Sequence, residues 1–478
     1  MAKPVPGLLA GCYGWPAFLP DSTSEAWTWR LHRGRHGTAQ SDARFRAAAK
    51  WQLGCAACAF HSSQLGDQGT LIGLPLSQTC RNCPIALLAR LSIVAVKQHG
   101  MEGMNFDFSD DQKLLREQAR RFLTERCPPK AVRTVLEGDA SHDRVLWSAI
   151  AEMGWLGTSI PEEYGGLGLG YLELCVIAEE LGRVLAPVPF ASSVYLFAEG
   201  LLRAGSRDQK SKLLPKIVDG SAIGCFARSE GAGAVVAKSV RTSFKGGRLN
   251  GVKRAVSDGM AADHAIVLAR ASEESGERAL CLALVDLNDP GVSRHAEQSI
   301  DPSRKHAQIA FDNVPAEAVG QVGEGWGITR AVLDRAAILT AFEQVGGADA
   351  CLAMAKAYAM ERYAFGRSIA SYQAIKHKLA DMYVNNELAR SNAYYGAWAL
   401  ATDAPELALA AAAARVSATQ AFDYAAKENI QTHGGVGFTW EFDCHLYYKR
   451  ARELALNLGA QRSWKDKLVT ALEQSNAA

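Results

Sequence analysis

Three residues in the C-terminal half have the types and spacing of an anion-binding segment. In "ERYAFGRSIASYQ", Arg362 is followed by Phe365 and Gln373. The planar guanidinium of arginine can donate parallel hydrogen bonds, which suits a pyrophosphate. Taken singly, Arg362 has the ordinary interpretation of a surface helix residue, and Phe365 that of a core residue. The joint spacing of the three residues favours the binding interpretation.

A second segment, "NIQTHGG", places Gln431 before the pair Gly434 and Gly435. A glycine pair allows the backbone to approach a phosphate closely or to adopt a positive φ. The same pair also suits the end of a helix between two helices of a bundle. The two interpretations are compatible, so this segment is a second candidate for phosphate binding.

The elements that must position these residues follow from the periodicity of the chain. Ser109 and Gln112 form a capping box at the start of a helix, and residues 104–220 are predicted to form an N-terminal helical domain. In residues 221–320, short runs of β-formers are separated by turn signals such as "KGG", which predicts a β-barrel or sandwich. Long alanine-rich segments in residues 321–478 predict a C-terminal helical bundle.

Residues 1–103 lack a sustained helical or strand period. They contain two Cys-x-x-Cys pairs, Cys55–Cys58 and Cys80–Cys83, and four thiolates can hold a tetrahedral zinc ion. The intervening stretch, residues 59–79, is longer than the usual spacing of about 15–20 residues. The alternatives are an unpatterned leader, either disordered or produced by a start codon placed too early, and an organellar transit peptide. No metal site is predicted elsewhere.

The overall composition excludes several classes of protein. The chain has 478 residues, which suits two or three domains, and 48% of them are hydrophobic, which excludes global disorder. The net charge of +2 argues against nucleic acid or an anionic membrane as the main partner. No apolar run reaches the about 20 residues of a membrane span. Most cysteines lie singly in apolar segments, which predicts buried, reduced thiols and a cytoplasmic protein.

Four segments of the chain resemble the acyl-CoA dehydrogenase family and occur in the family's order: residues 248–270, 333–347, 361–382 and 429–452. The resemblance covers about residues 104–465. It implies an α+β fold with an N-terminal helical domain, a middle β-barrel or sandwich domain and a C-terminal four-helix bundle. It also implies an oxidoreductase that uses FAD to desaturate an acyl-CoA thioester, with electron-transfer flavoprotein as the electron acceptor.

The resemblance implies functional roles for individual residues of this chain. Those matching the family's FAD ligands are Ser229, Ser257, Arg362, Phe365, Gln373, Gln431, Gly434 and Gly435. The matching family residues imply that Arg362, Phe365 and Gln373 reach the FAD of a neighbouring subunit. Ser257 is expected to hydrogen-bond the flavin ring near N5, and Asp334 to bind substrate.

The chain departs from the family pattern at the flavin ring and at the catalytic base. Ala255 stands where the family usually has a tryptophan against the ring. The catalytic glutamate of the family lies at one of two positions, which match Leu458 and Ala336 here. Neither side chain can accept the α-proton of an acyl thioester. The sequence therefore leaves the catalytic residue unknown.

Three other carboxylates are poor replacements for the missing base. Glu343 lies two helical turns beyond Ala336, roughly 10 Å along the helix axis at about 1.5 Å per residue. Glu441 matches a structural acidic residue of the family. Glu453 precedes Leu458 by more than one turn and is expected to point elsewhere.

Three functions agree with the missing base. We expect a subunit that completes the flavin site beside a catalytic partner chain, because the chain resembles the subunits of bacterial heterotetrameric members that lack the glutamate. The alternatives are a flavin-dependent monooxygenase of the same fold and a non-catalytic assembly subunit. The expected substrate is an acyl-CoA from fatty acid or steroid side-chain catabolism. The expected assembly is a homo- or hetero-oligomer, a dimer or tetramer, with no nucleic acid and no membrane insertion.

Overall fold

The computed structural model describes residues 108–274 and 276–477. The first part is helical, as predicted, with α1 (Asp110–Arg126), α2 (Pro129–Glu137), α3 (Arg144–Glu152), α4 (Tyr171–Arg183), α5 (Glu199–Ala204) and α6 (Arg207–Val218). The predicted capping box is confirmed, because Ser109 Oγ accepts from Gln112 N at 3.2 Å and Gln112 Oε1 accepts from Ser109 N at 3.0 Å. A π-helical segment, Ala191–Ala198, leads directly into α5.

The middle part is a β structure whose strands pair in a closed ring. It contains β1 (Gly224–Ala227), β2 (Ser243–Lys245), β3 (Arg248–Ser257), β4 (His264–Arg270), β5 (Leu280–Asp286), β6 (Val292–Glu297) and β7 (His306–Val319). The pairings run β4–β2–β3–β7–β5 and return to β4, while β1 and β6 extend the sheet. The ring is closed at the β2–β4 step by the single pair Ser243–Arg270. The predicted barrel is thus observed.

The register of the β3–β7 pair shifts between Lys253 and Val256. Ala255, inside this irregularity, has a φ of 51°, a value that few residues with a side chain adopt. Bulges of this kind redirect side chains and are common beside functional sites. Ser257 follows at the end of the strand.

The C-terminal part is helical, with α7 (Gly325–Glu361), α8 (Gln373–Ala401), α9 (Leu407–His433), α10 (Cys444–Leu454) and α11 (Gln461–Ala477). A short hairpin of β8 (Tyr363–Ala364) and β9 (Arg367–Ser368) links α7 to α8. Small residues let the long helices approach closely, since a Cβ on Gly347 of α7 would lie 2.4 Å from the ring of Phe422 on α9. The predicted succession of helical, β and helical parts is confirmed.

In the described part of the chain, no helix combines the length and the apolar composition that a membrane crossing requires. The same residues contain no group of three or more His, Cys, Asp and Glu side chains placed to hold a metal ion. The six cysteines there are buried and unpaired, as predicted for them. The leader prediction for residues 1–103, and the zinc candidates Cys55, Cys58, Cys80 and Cys83 within it, lie outside the described residues.

Candidate functional site

An inner cavity of about 20 Å³ lies where the π-helical segment, β3, α7 and the loop after α10 meet. Ser257, Ala336 and Leu458 line this cavity together. The two positions at which the sequence resemblance placed the family's glutamate, Ala336 and Leu458, therefore face the same space as the serine expected to bind flavin. The other lining residues are Ala191, Ser192, Tyr195, Leu196, Arg304, Thr340 and Asn457, so no carboxylate lines the cavity.

The loop that carries Leu458 is held in place by two arginines, the half-buried Arg228 and the buried Arg415. Arg228 Nη2 donates to the carbonyl oxygen of Asn457 at 3.2 Å, and Arg415 Nη2 donates to Asn457 Oδ1 at 3.1 Å. Burial lowers the pKa of both guanidinium groups, because no carboxylate pairs directly with either of them in the described residues. Gly459 then turns the chain with a φ of 108°, beyond the reach of most other residues. Leu458, where the resemblance leads us to expect the base, therefore lies on a loop that hydrogen bonds hold in place, and its own side chain is apolar.

Glu343 is a buried carboxylate that lies close to the inner cavity without lining it. Its side chain is 2% exposed and lies beside Tyr195 and Arg304, which do line the cavity. Burial raises the pKa of the Tyr195 phenol, and the neighbouring Glu343 carboxylate raises it further. Glu343 thus lies next to two residues that line the cavity but is not itself a lining residue.

The other two carboxylates lie away from the inner cavity. Glu441 is exposed on the segment before α10. Glu453 Oε1 lies 2.8 Å from His306 Nε2, so this pair connects α10 to the first residue of β7. Burial lowers the pKa of His306, but the hydrogen bond and charge of Glu453 outweigh burial and raise it overall.

A larger outer cavity of about 420 Å³ is lined by Gly231, Ala232, Arg254, Ala255, Glu297, Gln298 and His306. The N–H group of Ala255 donates to Glu297 Oε2 at 2.6 Å, which anchors the bulge of β3. Ser229 borders this region, since its Oγ donates to the carbonyl oxygen of Gly231 at 3.1 Å. Ala255 and Ser257 are two residues apart, so β3 contributes to both cavities.

Arg362, Phe365 and Gln373 lie on an exposed edge formed by the β8–β9 hairpin and its flanking helix ends. Arg362 directly follows α7, and Gln373 is the first residue of α8. Phe365 is 97% exposed, so the alternative interpretation as a core residue is wrong. Phe365 and Gly366 have φ values of 53° and 79°, the signs that a type I′ turn requires at both central positions. Within the described residues the Arg362 guanidinium has no hydrogen-bond or ion-pair partner.

Gln431, Gly434 and Gly435 lie at the exposed end of α9. Gly434 has a φ of 66°, and nothing lies within 4 Å of a Cβ built on it. The glycine pair therefore ends the helix and also leaves the backbone open to a ligand. The ring of Tyr358 near the end of α7 stacks on His433 at 4.2 Å, which brings this segment to the same end of the bundle as Arg362.

Asp334 lies on α7 but lines neither cavity. It is buried and forms an ion pair with Lys467 of α11. Burial raises the pKa of Asp334 although the charge of Lys467 lowers it. A substrate role for Asp334 would therefore require Lys467 to give up this contact.

Sequence reasoning missed the polar wall of the inner cavity, which includes Tyr195 and Arg304. Tyr195 lies in the apolar run "ASSVYLFA", where periodicity distinguishes neither a π-helix nor its inward face. Arg304 lies in the charged segment "DPSRKH", which looks like a solvated loop, yet the side chain is buried. No sequence signal that we recognise marks either residue.

Two family models match the chain: "Acyl-CoA dehydrogenase, N-terminal domain" over residues 109–221 and "Acyl-CoA dehydrogenase, C-terminal domain" over residues 323–462. Isovaleryl-CoA dehydrogenase of Solanum tuberosum is 31% identical over 74% of this chain and 88% of its own length. Acyl-CoA dehydrogenase IpdE2 of Mycobacterium tuberculosis is 32% identical over 74% of this chain and 94% of its own. A chain of the ChsE4–ChsE5 complex from Mycobacterium tuberculosis superposes with a TM-score of 0.71, at 27% identity, over 77% of this chain and 99% of its own.

Proposed function

The chain belongs to the acyl-CoA dehydrogenase family of oxidoreductases, and on that premise we propose that it completes the flavin site of a second, homologous chain. In this proposal the partner chain carries the glutamate that removes the α-proton of an acyl-CoA thioester. The present chain contributes its exposed edge to the partner's flavin. The assembly desaturates the Cα–Cβ bond and passes its electrons to electron-transfer flavoprotein.

One observation supports the proposal: no carboxylate of the described residues lines the inner cavity, whereas the exposed edge presents Arg362 and Phe365 at the surface. Leu458 and Ala336 face the cavity beside Ser257 and cannot accept a proton. Arg362 and Phe365, in contrast, project from the surface where a neighbouring molecule can reach them. A partner chain that carries the glutamate and the present chain, which supplies the exposed edge, would together make one complete site.

The residues of the exposed edge fit the phosphate-bearing end of FAD. Arg362 offers a planar cation, and Gln373 and Gln431 offer exposed amides; none of these three side chains makes a hydrogen bond or ion pair within the described residues. Gly434 leaves its backbone open at a positive φ. When bound, a flavin supplies the hydride acceptor that α,β-desaturation requires. Arg362 would then hold the pyrophosphate, and Phe365 would cover it from water.

The test is co-expression of this chain with a homologous chain that has glutamate at the position of Leu458. We expect the purified complex to be yellow and to bleach when an acyl-CoA is added without oxygen. The chain purified alone should show no bleaching. A matched complex in which the partner's glutamate is replaced by glutamine should keep its flavin but reduce it at least about 100-fold more slowly.

Three outcomes would contradict the proposal. If the chain alone carried flavin that bleached with acyl-CoA, a base within this chain would have been overlooked. If the complex consumed oxygen with NADH and a phenolic substrate instead, the monooxygenase alternative would replace the dehydrogenase. A colourless complex that forms normally would indicate a purely structural subunit.

A further inference from the structure

The two arginines that hold the loop after α10 lie together without a carboxylate to neutralise either charge. Arg415 is 1% exposed, and its guanidinium donates only to neutral oxygens. These are Gln344 Oε1 at 2.9 Å, Asn457 Oδ1 at 3.1 Å and the carbonyl oxygen of Leu454. Arg228 is half-buried, and its Nη2 donates to the carbonyl oxygen of the same Asn457 at 3.2 Å. Their hydrogen bonds are made, but within the described residues neither guanidinium forms an ion pair.

Two neighbouring cations without a counter-ion destabilise the folded chain, because like charges repel and burial removes the screening of water. The pKa of Arg415 is lowered to about 9, mainly by burial and further by the charge of Arg228, while the charge of Glu343 acts in the opposite direction. Burial lowers the pKa of Arg228 to about 10. Both groups still carry their charge at neutral pH, so this part of the chain has an excess of positive charge.

A third hydrogen-bond donor faces the same place. Apart from the adjacent residues of the chain, a Cβ built on Gly459 would have only two atoms within 4 Å, Trp464 Nε1 at 3.9 Å and Arg228 Nη2 at 4.0 Å. Trp464 is 5% exposed, and its Nε1 donates to no acceptor among the described residues. A guanidinium and an indole N–H group therefore border one open space, which we call the Gly459 site.

We propose that the Gly459 site binds the carboxylate group of a small ligand, with Arg228 and the indole N–H of Trp464 as the donors. The planar fork of a guanidinium matches a carboxylate and binds it through charge-assisted hydrogen bonds. Arg415 contributes its charge from behind Asn457, because its own hydrogen bonds are already made. Leu458, which precedes Gly459, lines the inner cavity, so the bound carboxylate would lie beside that cavity. The site needs neither flavin nor a partner chain.

The local charges favour a carboxylate over a phosphate. Arg228 and Arg415 contribute two positive charges, and Glu343 is the carboxylate whose charge acts on Arg415. One positive charge therefore remains to be neutralised. A carboxylate carries one negative charge, whereas a phosphate group carries about −1.5 to −2 at neutral pH and would leave an excess of negative charge. A bound carboxylate thus balances the arginine pair.

The test is thermal unfolding of the full chain, titrated with pentanoate, pentanamide or inorganic phosphate at constant ionic strength. A ligand that binds only the folded chain raises the unfolding midpoint in a saturable way, and the concentration dependence gives its Kd. We expect pentanoate to raise the midpoint, pentanamide to leave it unchanged, and phosphate to bind more weakly than pentanoate. Pentanamide is the matched neutral ligand, since it has nearly the same shape without the charge.

Two variants identify the donors. Arg228→Gln should raise the Kd of pentanoate at least about tenfold, the effect of losing a hydrogen bond to a charged group, and Trp464→Phe should raise it about fivefold. Without ligand, Arg228→Gln should not lower the midpoint, because it removes the repulsion between the two arginines. Arg294→Gln is the matched control and should leave the Kd unchanged. Arg294 is also half-buried, and its Nη1 donates to the carbonyl oxygen of Ala262 at 2.8 Å without an ion pair in the described residues.

Glutaryl-CoA and pentanoyl-CoA distinguish two sources of the carboxylate. Tighter binding of glutaryl-CoA than of pentanoate and pentanoyl-CoA would assign the carboxylate to the end of an acyl chain, and tighter binding of pentanoate would assign it to a free organic acid. An equal response to pentanamide, tighter binding of phosphate, or an unchanged Kd of pentanoate in Arg228→Gln would overturn the inference. So would an equal loss of affinity in Arg294→Gln. Because the titration uses this chain alone, any of these failures leaves the proposed function untouched.

Discussion

The inner cavity and the β8–β9 hairpin differ in burial, in charge and in backbone geometry. Leu458 and Ala336 are buried in a cavity that no carboxylate lines. Arg362 and Phe365 stand on the surface, one as a cation without an ion-pair partner in the described part of the chain and the other as an apolar ring at a positive φ. An exposed phenylalanine at a positive φ destabilises a lone chain, because its ring is not buried there and cannot offset the backbone strain. The two regions differ as the proposed function expects: the hairpin presents exposed groups to another molecule, and the cavity presents no proton acceptor from the described residues.

The sharpest test of the cavity is Leu458→Glu, for which we expect a loss of about 3 kcal/mol in unfolding free energy at pH 8. The new carboxylate would be buried without a paired charge, so its pKa would rise in the folded state. Below the unfolded pKa of about 4.3 both states are protonated, and the charge penalty disappears. Chemical denaturation at pH 4 and pH 8 should therefore show a smaller loss at the lower pH.

Leu458→Gln is the matched control, because it has a similar shape and no charge. Its cost should be independent of pH. Should Leu458→Glu be as stable as the parent at pH 8, the cavity would still accommodate a carboxylate, and the contrast between cavity and hairpin would be broken.

The sharpest test of the hairpin is Arg362→Met in the complex with the partner chain. We expect flavin retention to weaken about 10–100-fold, the effect of losing one charge-assisted, bidentate contact to a phosphate. Fluorescence titration of the flavin-free complex with FAD measures the effect. The control is Arg367→Met, since Arg367 is exposed on the same hairpin but lies over the ring of Tyr372 at 4.1 Å. An equal loss in both variants would indicate a general effect of charge.

The sequence predicted the parts of the molecule that depend on local signals. The capping box at Ser109 and the change from helices to strands follow from residue type and period, and the structure has both. The convergence of Leu458 with Ala336 was implied only by resemblance, because 121 intervening residues separate them and no local rule connects them. Tyr195 and Arg304 were not predictable, since a π-helix and a buried loop arginine depend on tertiary packing.

His306→Gln tests a titratable contact beside the outer cavity, the pair that His306 forms with Glu453. The pKa of His306 is raised by Glu453, so the pair stabilises the fold fully below the unfolded pKa of about 6.5. That contribution is lost as the pH rises through the higher folded pKa. We expect His306→Gln to cost about 1 kcal/mol at pH 6 and less at pH 9, measured by urea denaturation. A cost that grows with pH would show that the neutral histidine makes the important contact.

The smallest predicted effect comes from one substitution that should help the lone chain and harm the complex. Phe365→Asn should stabilise the lone chain by about 0.5 kcal/mol, because asparagine tolerates a positive φ and Asn-Gly is the preferred pair of a type I′ turn. The same substitution should weaken flavin retention in the complex, because the exposed ring would be gone. Phe438→Asn is the control, being 79% exposed but without a positive φ, and it should give no stabilisation. Thermal melting of the lone chain and FAD titration of the complex measure the two signs. If Phe365→Asn improved both, the ring would serve no partner, and the strain at Phe365 would have no functional counterpart.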